Sequence, residues 1–226
     1  MRRKLAEKKT IAILGGTGQL GPGLALRWAH AGHHVIIGSR QAEKAQSVAA
    51  ELNAELGKDL IEGKTNADAA QGADICVLTV EQSAHLPAIE SLKKELQGKI
   101  LVDTTARVGP PDWTPPAPPA AAKIAQDLLG NEVRVVAAFQ TVPAASLRKS
   151  FTQPLDSDVL VCADDSADAE QVTGLARDAG LQAYYSGTLD KAIVVEGLTS
   201  ILVSMNKYYK SRHGTLKVAG IPAKKS

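Results

Sequence analysis

A glycine-rich turn near the start of the chain restricts the possible folds more than any other feature. The apolar run at residues 10–14 ends at two glycines, and apolar residues then recur at helical spacing over residues 19–31. The turn carries a G-x-G-x-x-G pattern made of Gly16, Gly18 and Gly21. A buried strand, this pattern and a helix in succession are typical of a βαβ unit that binds a dinucleotide.

Each glycine of the pattern has a mechanical reason. Gly16 is expected to permit the tight turn, Gly18 to let the backbone approach a pyrophosphate, and Gly21 to let the helix pack closely on the strand. Free amide groups at the start of the helix supply donors and a partial positive charge for the phosphates. The remaining residues of the predicted phosphate site are Thr17, Gln19 and Leu20. The competing interpretation is a structural turn without a ligand.

Strands and helices alternate along the next part of the chain. Further strands are predicted at 35–37, 61–65, 74–80, 100–103 and 133–138, and helices at 41–56, 67–71, 83–95 and 120–129. This alternation predicts an α/β fold with a doubly wound, parallel sheet of the Rossmann type. Right-handed crossovers bring the carboxyl ends of the strands to one edge, where ligands bind.

The last third of the chain predicts a smaller α/β lobe. Its predicted elements are strands at 158–162 and 182–186 and helices at 166–179 and 188–209. We therefore expect a basic extension at 1–9, a Rossmann domain at 10–143, and a C-terminal lobe at 144–226 that completes the ligand cleft. The helix at 188–209 is apolar on more than one face, so we expect it to be buried all round, at or near the interface of a homodimer.

Six prolines between residues 107 and 121 interrupt the alternation. This density excludes regular helix and sheet and favours an extended, polyproline-like backbone. A surface connection and a functional lid are both compatible with it.

Composition excludes several classes of protein. The formal net charge is +2 and the pI about 8.5, which is too mild for a nucleic-acid-binding surface. The only cysteines, Cys76 and Cys162, are far apart in sequence and lack a metal-ligand spacing, so we expect neither zinc nor a disulfide. Apolar runs are too short to cross a membrane, and the basic start lacks the apolar stretch of a signal peptide. We expect a cytoplasmic protein without metal, membrane or nucleic-acid partners.

The end of the second predicted strand indicates which dinucleotide is bound. Enzymes that use NAD place a carboxylate there for the ribose 2′-hydroxyl, whereas this chain has Ser39 and Arg40. A guanidinium forms charge-assisted hydrogen bonds with a 2′-phosphate, and Lys44 follows four residues later on the same helical face. Taken alone, Lys44 also fits a solvated surface lysine. These residues predict NADP(H).

No side chain stands out as a proton-transfer catalyst. The Tyr-x-x-x-Lys motif of short-chain dehydrogenases is absent, and His85 fits a helix-capping or surface role as well as a functional one. A direct hydride exchange between two bound rings needs positioning rather than acid–base chemistry. The small, apolar segment at 139–145 follows a predicted strand and fits either the floor of a slot for a flat second cofactor or an ordinary loop.

Several motifs together resemble the NADPH:coenzyme F-420 oxidoreductase family. They are Gly-Gly-Thr-Gly-Gln-Leu-Gly at 15–21, Gly-Ser-Arg at 38–40, Val-Leu-Thr-Val at 77–80, Ala-Phe-Gln-Thr-Val-Pro-Ala at 138–144, Val-Cys-Ala-Asp-Asp at 161–165 and Glu-Gly-Leu-Thr at 196–199. The resemblance runs from about residue 10 to residue 221, with the motifs in the same order and at similar spacing.

The resemblance implies hydride transfer between C4 of the nicotinamide and C5 of a deazaflavin, coenzyme F-420. It places NADP along the glycine-rich turn and the Ser39, Arg40 and Lys44 group, and adds four residues: Thr79, Val80, Gln82 and Ala144. The residues that it implies for F-420 are Gln140, Val142, Pro143 and Leu216. No residue is implied as a covalent or acid–base catalyst.

Two departures from the family pattern affect the second site. Gln140 stands where some members have a histidine, and the proline-rich stretch and residues 81–84 look diverged. Two alternatives stay open: an NADPH-dependent reductase of a flavin, quinone or metal chelate, and a non-catalytic NADP(H) sensor.

Overall fold

The computed structural model describes residues 8–222. The predicted basic extension at 1–9 therefore lies almost entirely outside the described residues. The chain begins with β1 (Thr10–Leu14), α1 (Leu20–His30), β2 (His34–Ser39), α2 (Ala42–Leu56), β3 (Ile61–Thr65) and α3 (Asn66–Gln71). It continues with β4 (Ile75–Leu78), α4 (His85–Leu92), β5 (Ile100–Asp103), α5 (Ala121–Leu129) and β6 (Arg134–Ala137). The last elements are α6 (Ala144–Arg148), β7 (Asp158–Ala163), α7 (Ser166–Asp178), β8 (Gln182–Tyr185) and α8 (Ala192–Tyr208).

The strands form one sheet in the order β3-β2-β1-β4-β5-β6-β7-β8. The first six are mutually parallel, and the order reverses direction at β1, which is the doubly wound arrangement expected from the sequence. The Rossmann-type fold is therefore confirmed.

Beyond β6 the sheet contains a reversal that the alternation of elements did not predict. β7 pairs with β6 antiparallel, and β8 then pairs with β7 in parallel. Because β7 runs the other way, its first residue, Asp158, lies at the edge where β1 to β6 end. The C-terminal elements thus continue the same sheet, while the boundary at residue 143 stays a prediction.

Alternate residues of the central strands pack on opposite sides of the sheet. Ile11 and Ile13 of β1 pack with α1, α2 and α7, whereas Ala12 and Leu14 pack with α3, α4, α5 and the start of α8. Small and branched aliphatic side chains fill both layers, as the low aromatic content of 4% requires.

The last helix differs from its prediction. A short 3₁₀ turn at Leu189–Lys191 precedes α8, which buries only the face formed by Ala192, Val195, Glu196 and Ser200. Its other face exposes Val194 (65%), Ile201 (53%) and Met205 (49%), so one chain alone does not bury the helix all round, and its burial in a homodimer stays a prediction. The helix runs along the surface of the sheet layer, so one chain covers only one of its sides.

Two absences apply to the part of the chain that the structure describes. Over residues 8–222, no helix is both long enough and apolar enough to cross a bilayer. Within the same residues, no cluster of three or more His, Cys, Asp or Glu side chains is arranged to hold a metal ion.

Candidate active site

The glycine-rich turn is fastened to its neighbours by backbone hydrogen bonds. Gly16 donates from its N–H to the carbonyls of Ile13 (3.1 Å) and Gly38 (2.9 Å), which ties the turn to the end of β2. Gly15 donates to Asn66 Oδ1 at 3.0 Å. The glycine pattern predicts the tight turn at Gly16, but the left-handed backbone of this turn falls on Gly15, with φ of 71°. Gly16 instead is close-packed, since a Cβ there would lie 2.6 Å from the carbonyl oxygen of Ile13.

The three glycines of the pattern differ in what requires them. A Cβ on Gly21 would lie 2.3 Å from the carbonyl oxygen of Gly16, so the packing of α1 against the turn excludes any side chain. A Cβ on Gly18 would lie no closer than 3.6 Å to a protein atom, and Gly18 is exposed. Nothing in the described chain needs a glycine at position 18. The G-x-G-x-x-G pattern predicts that a ligand approaches the backbone there, and such a ligand would require a glycine.

The first turn of α1 fits an anion. Gln19 at its N-cap makes no capping hydrogen bond through its side chain, and no acidic residue occurs in the first turn. Its N–H groups and the positive end of the helix dipole are therefore free for phosphate. Thr17 and Leu20 flank this position and are partly exposed.

The end of β2 leaves two cations available. Ser39 is buried, and its Oγ accepts a hydrogen bond from the Gln41 N–H at 3.3 Å, which shapes the turn. Arg40 and Lys44 are exposed, and neither forms an ion pair with any residue between 8 and 222. Two exposed cations at the end of a strand suit a phosphate group, which accepts charge-assisted hydrogen bonds.

The end of β4 closes the other side of the turn. A Cβ on Gly15 would lie 2.5 Å from Val80 Cγ1, so Val80 packs directly on the turn. Thr79 donates from both its N–H (2.9 Å) and its Oγ1 (3.1 Å) to the carbonyl of Leu14. The Gln82 side chain lies about 4.0 Å from where a Cβ on Gly109 would stand, at the start of the proline-rich stretch.

A buried histidine–aspartate hydrogen bond lies behind this edge of the sheet. His85, at the start of α4, is 3% exposed, and its Nε2 lies 2.7 Å from Oδ2 of the fully buried Asp103 at the end of β5. The other carboxylate oxygen accepts the N–H of Thr105 at 2.9 Å. The surface or capping role considered for His85 is therefore wrong. Sequence reasoning did not single out Asp103, although an acidic residue that ends an apolar strand is itself a signal.

The segment after β6 lies beside this pair. Gln140 donates from Nε2 to the carbonyl of Asp103 at 3.0 Å and accepts a hydrogen bond at its own carbonyl from Thr199 Oγ1 of α8 at 3.0 Å. Val142 is buried, and Pro143 is partly exposed and precedes α6. The segment therefore joins the ends of β5 and β6 to α8.

The helix α6 and the C-terminal tail bring two more predicted residues to this edge. A Cβ on Gly23 would lie 2.6 Å from Leu147 Cβ, so α6, which begins at Ala144, packs on the first turns of α1. Leu216 accepts a hydrogen bond from the N–H of Asp158, the first residue of the antiparallel β7, at 2.9 Å. All the site residues predicted from the sequence thus lie along the carboxyl edge of the sheet or on elements packed against it.

One carboxylate holds the proline-rich stretch. Glu196 of α8 is 1% exposed and accepts hydrogen bonds from the N–H (2.8 Å) and Nε (2.7 Å) of Arg107 and from the N–H of Ala121 (3.0 Å). Arg107 also donates from Nη2 to the carbonyls of Ala117 and Pro119. Both ends of the stretch are thereby fixed to α8, and it forms neither helix nor strand between them, as expected.

Comparison with known proteins places this geometry in one family. Residues 10–107 match the family described as NADP oxidoreductase coenzyme F420-dependent. The F420-dependent NADP reductase of Methanothermobacter thermautotrophicus is 35% identical over 225 residues, which cover 94% of this chain and 95% of that protein. The chain belongs to this reductase family. The family resemblance read from the sequence is therefore confirmed.

Two further relatives agree with this assignment over nearly their whole length. The F420-dependent NADP reductase of Methanocaldococcus jannaschii is 36% identical over 228 residues, covering 93% of this chain and 98% of that protein. The crystal structure of a putative F420-dependent NADP reductase from Arthrobacter sp. FB24 superposes with a TM-score of 0.79 at 25% identity, covering 93% of this chain and 99% of that one. This family member therefore shares both sequence and architecture with full-length relatives.

The two thiols of the chain take no part in this site. Cys76 in β4 and Cys162 in β7 are buried and unpaired. Burial raises the pKa of the Cys76 thiol to about 12 and that of Cys162 to about 11, so both stay protonated and unreactive at neutral pH.

Proposed function

We propose that the protein is an oxidoreductase that transfers a hydride between NADP(H) and the deazaflavin coenzyme F-420. The family relationship over nearly the full length of both chains carries this conclusion. In the reduction of F-420, the C4–H bond of NADPH breaks, C5 of the deazaflavin receives the hydride, and water supplies the accompanying proton.

The glycine-rich turn and the end of β2 would hold NADP(H). Gly16, Gly18 and Gly21 shape the backbone, and the uncapped start of α1, with Thr17, Gln19 and Leu20, faces the pyrophosphate. Arg40 and Lys44, with Ser39 beside them, bind the 2′-phosphate. On the other side of the turn, Thr79, Val80, Gln82 and Ala144 border the nicotinamide half. What supports this is the open space at Gly18 and the two unpaired cations.

The second ring would lie at the ends of β5 and β6. Gln140, Val142 and Pro143 form its floor, and Leu216 reaches the same edge through its contact with β7. These side chains would hold and orient a flat ring. None of them is an acid or a base, which suits a transfer that depends on the alignment of two rings.

A spectroscopic assay tests this function. Oxidised F-420 should lose its absorbance when NADPH and the protein are added, and deuterium on the transferred position of NADPH should appear in the reduced deazaflavin. NADPH-dependent reduction of a flavin, quinone or metal chelate with F-420 left unchanged would contradict the choice of acceptor. Binding of NADPH without turnover of any acceptor would favour a sensor instead.

We also propose a homodimer in the cytoplasm. The face of α8 that carries Val194, Ile201 and Met205 is apolar and exposed in the single chain, and a second copy would cover it. The two free cysteines are typical of a reducing compartment.

A further inference from the structure

Four polar side chains meet at the end of β5, and the proposed function leaves three of them without a role. They are His85, Asp103, Thr105 and Gln140, each of which is at least nine-tenths buried. Asp103 connects the group through its carboxylate, which bonds to His85 and to the N–H of Thr105, and through its carbonyl, which receives Nε2 of Gln140.

Two atoms of this group have no hydrogen-bond partner. They are the hydroxyl oxygen of Thr105 and the side-chain oxygen Oε1 of Gln140. A buried polar atom without a partner is uncommon in native proteins and costs stability, because it has lost its water. Here the two atoms belong to residues that both hydrogen-bond to Asp103, and the site proposed for the two rings lies at the same strand ends.

The two atoms are chemically complementary to an amide. The Thr105 hydroxyl can donate to a carbonyl oxygen, and Gln140 Oε1 can accept from an N–H. Both are already shielded from water, so a ligand that bonds to them removes no hydration from the protein, and this favours binding. The two side chains retain 4% and 9% exposure, so each borders the surface at this edge of the sheet.

The position of β5 fits the ring end of the dinucleotide. Thr104 donates from Oγ1 to the carbonyl of Leu78 at 2.8 Å, so Asp103 and Thr105 adjoin the end of β4. In a doubly wound sheet one half of the dinucleotide lies over β2 and the other over β4. The proposed function therefore puts the nicotinamide, which carries a carboxamide, over β4 and β5. The ring that stacks on it, the deazaflavin, also presents an amide edge.

We propose that Thr105 and Gln140 bind the amide edge of a ring at the active site, and that Asp103, held by His85, positions both. This inference rests on the proposed function and names two binding residues and two positioning residues for it. The carboxamide of NADPH and the amide edge of F-420 share the recognised chemistry, and the experiment separates them.

Thr105→Val tests the hydroxyl with little change in side-chain volume. Affinities for NADPH, by its fluorescence, and for 2′,5′-ADP, which lacks the nicotinamide, are measured with the full chain, together with the KM for F-420. Loss of one hydrogen bond should weaken binding by about 3- to 10-fold. Thr105→Ser, which retains the hydroxyl, should restore it. Thr173→Val is the matched control, because Thr173 Oγ1 in α7 is likewise buried and unpartnered but lies away from this edge.

The outcomes distinguish the two rings. Weaker NADPH binding with unchanged 2′,5′-ADP binding assigns the site to the nicotinamide carboxamide. Unchanged NADPH binding with a raised KM for F-420 assigns it to the deazaflavin. If Thr105→Val behaves like Thr173→Val in all three measurements, a buried water satisfies the two atoms and the proposal is wrong.

Asp103→Asn tests the positioning role, and its control is Asp178→Asn, which removes the charge from another pair, His33–Asp178 at 3.0 Å. Asp103→Asn should change the ratio of NADPH to 2′,5′-ADP affinity, or the KM for F-420, in the same direction as Thr105→Val. A loss of stability alone, of the kind that Asp178→Asn produces, would overturn this role. Failure of the proposed function would appear differently, as an unmodified protein that binds no NADPH or leaves F-420 oxidised.

Discussion

At the scale of single residues, one glycine of the glycine-rich turn should matter for ligand binding and another for the stability of the fold. Gly18→Ala should leave the free energy of unfolding unchanged or raise it by about 0.4–1 kcal/mol, because the Cβ has room and the unfolded chain loses entropy. It should weaken NADPH binding, since the Cβ points where the pyrophosphate approaches. Gly21→Ala should instead lower the free energy of unfolding by about 3 kcal/mol through its overlap with Gly16. Urea denaturation and NADPH titration of both variants check this, and normal NADPH binding by Gly18→Ala would contradict the phosphate site.

Arg40 should decide between the two nicotinamide cofactors. Arg40→Ala should weaken NADPH binding by about 2–4 kcal/mol, because a charge-assisted hydrogen bond to the 2′-phosphate is lost. NADH lacks this phosphate, so its affinity should hardly change. Titration of both cofactors measures the difference, with Lys58→Ala, on an exposed lysine after α2, as a control for overall charge. Equal losses for NADPH and NADH would exclude the 2′-phosphate assignment.

Residue by residue, the sequence was informative where the signal is local. The glycine pattern and the Ser39-Arg40 pair depend on neighbours in the chain, and within them the structure leaves Gly18 and Arg40 exposed. The His85–Asp103 pair joins residues from two elements, and its burial depends on how α4 packs against β5. Asn66, which binds Gly15 from α3, depends in the same way on a contact across 51 residues. Periodicity carries no information about such contacts.

At the scale of elements, one buried arginine holds α1 to the C-terminal half. Arg27 is 2% exposed and donates to the carbonyls of Leu147 (2.6 Å), Gln153 (3.0 Å) and Ala179 (3.0 Å), while burial lowers the pKa of its guanidinium. Arg27→Met should lower the free energy of unfolding by about 3–5 kcal/mol, because three carbonyls lose their donor. Arg148→Ala breaks an exposed pair with Glu51 and Glu55 and should cost at most about 1 kcal/mol. Chemical denaturation compares the two, and equal costs would contradict the role of Arg27.

The boundaries of most elements could be predicted, and the exceptions have physical reasons. The apolar runs predicted β1 and β5 to the residue, because glycine or polar residues end them, and the bounds of β3 were also predicted correctly although only its first residue, Ile61, is a large apolar one. The helix predicted at 83–95 divides into a 3₁₀ turn at Gln82–Ala84 and α4. His85, the first residue of α4, bonds to Asp103 of β5, and sequence periodicity does not register such a contact between elements. The antiparallel direction of β7 could not be predicted either, since the hydrophobic pattern of a strand does not show whether it pairs parallel or antiparallel with its neighbour.

At the scale of the whole molecule, α8 should determine assembly. Sedimentation of the unmodified protein should give twice the 23.7 kDa mass of one chain, because association with a second copy would bury the exposed apolar face of α8. Ile201→Glu should produce monomers at micromolar concentration. Ile221→Glu places the same charge on an apolar residue that is exposed elsewhere, at 60%, and should leave the dimer intact. A monomeric unmodified protein would contradict the proposed dimer.

The contacts of α1 also set an order of events while the chain is being made. Arg27 and Trp28 leave the ribosome well before the carbonyls that receive them, which belong to residues 147, 153, 175 and 179. A nascent chain that already contains all six parallel strands therefore still lacks the carbonyls that bind the guanidinium of Arg27 and the indole N–H of Trp28. Splitting the gene after residue 143 should accordingly give two fragments that stay unfolded apart and recover NADPH binding only when they are mixed.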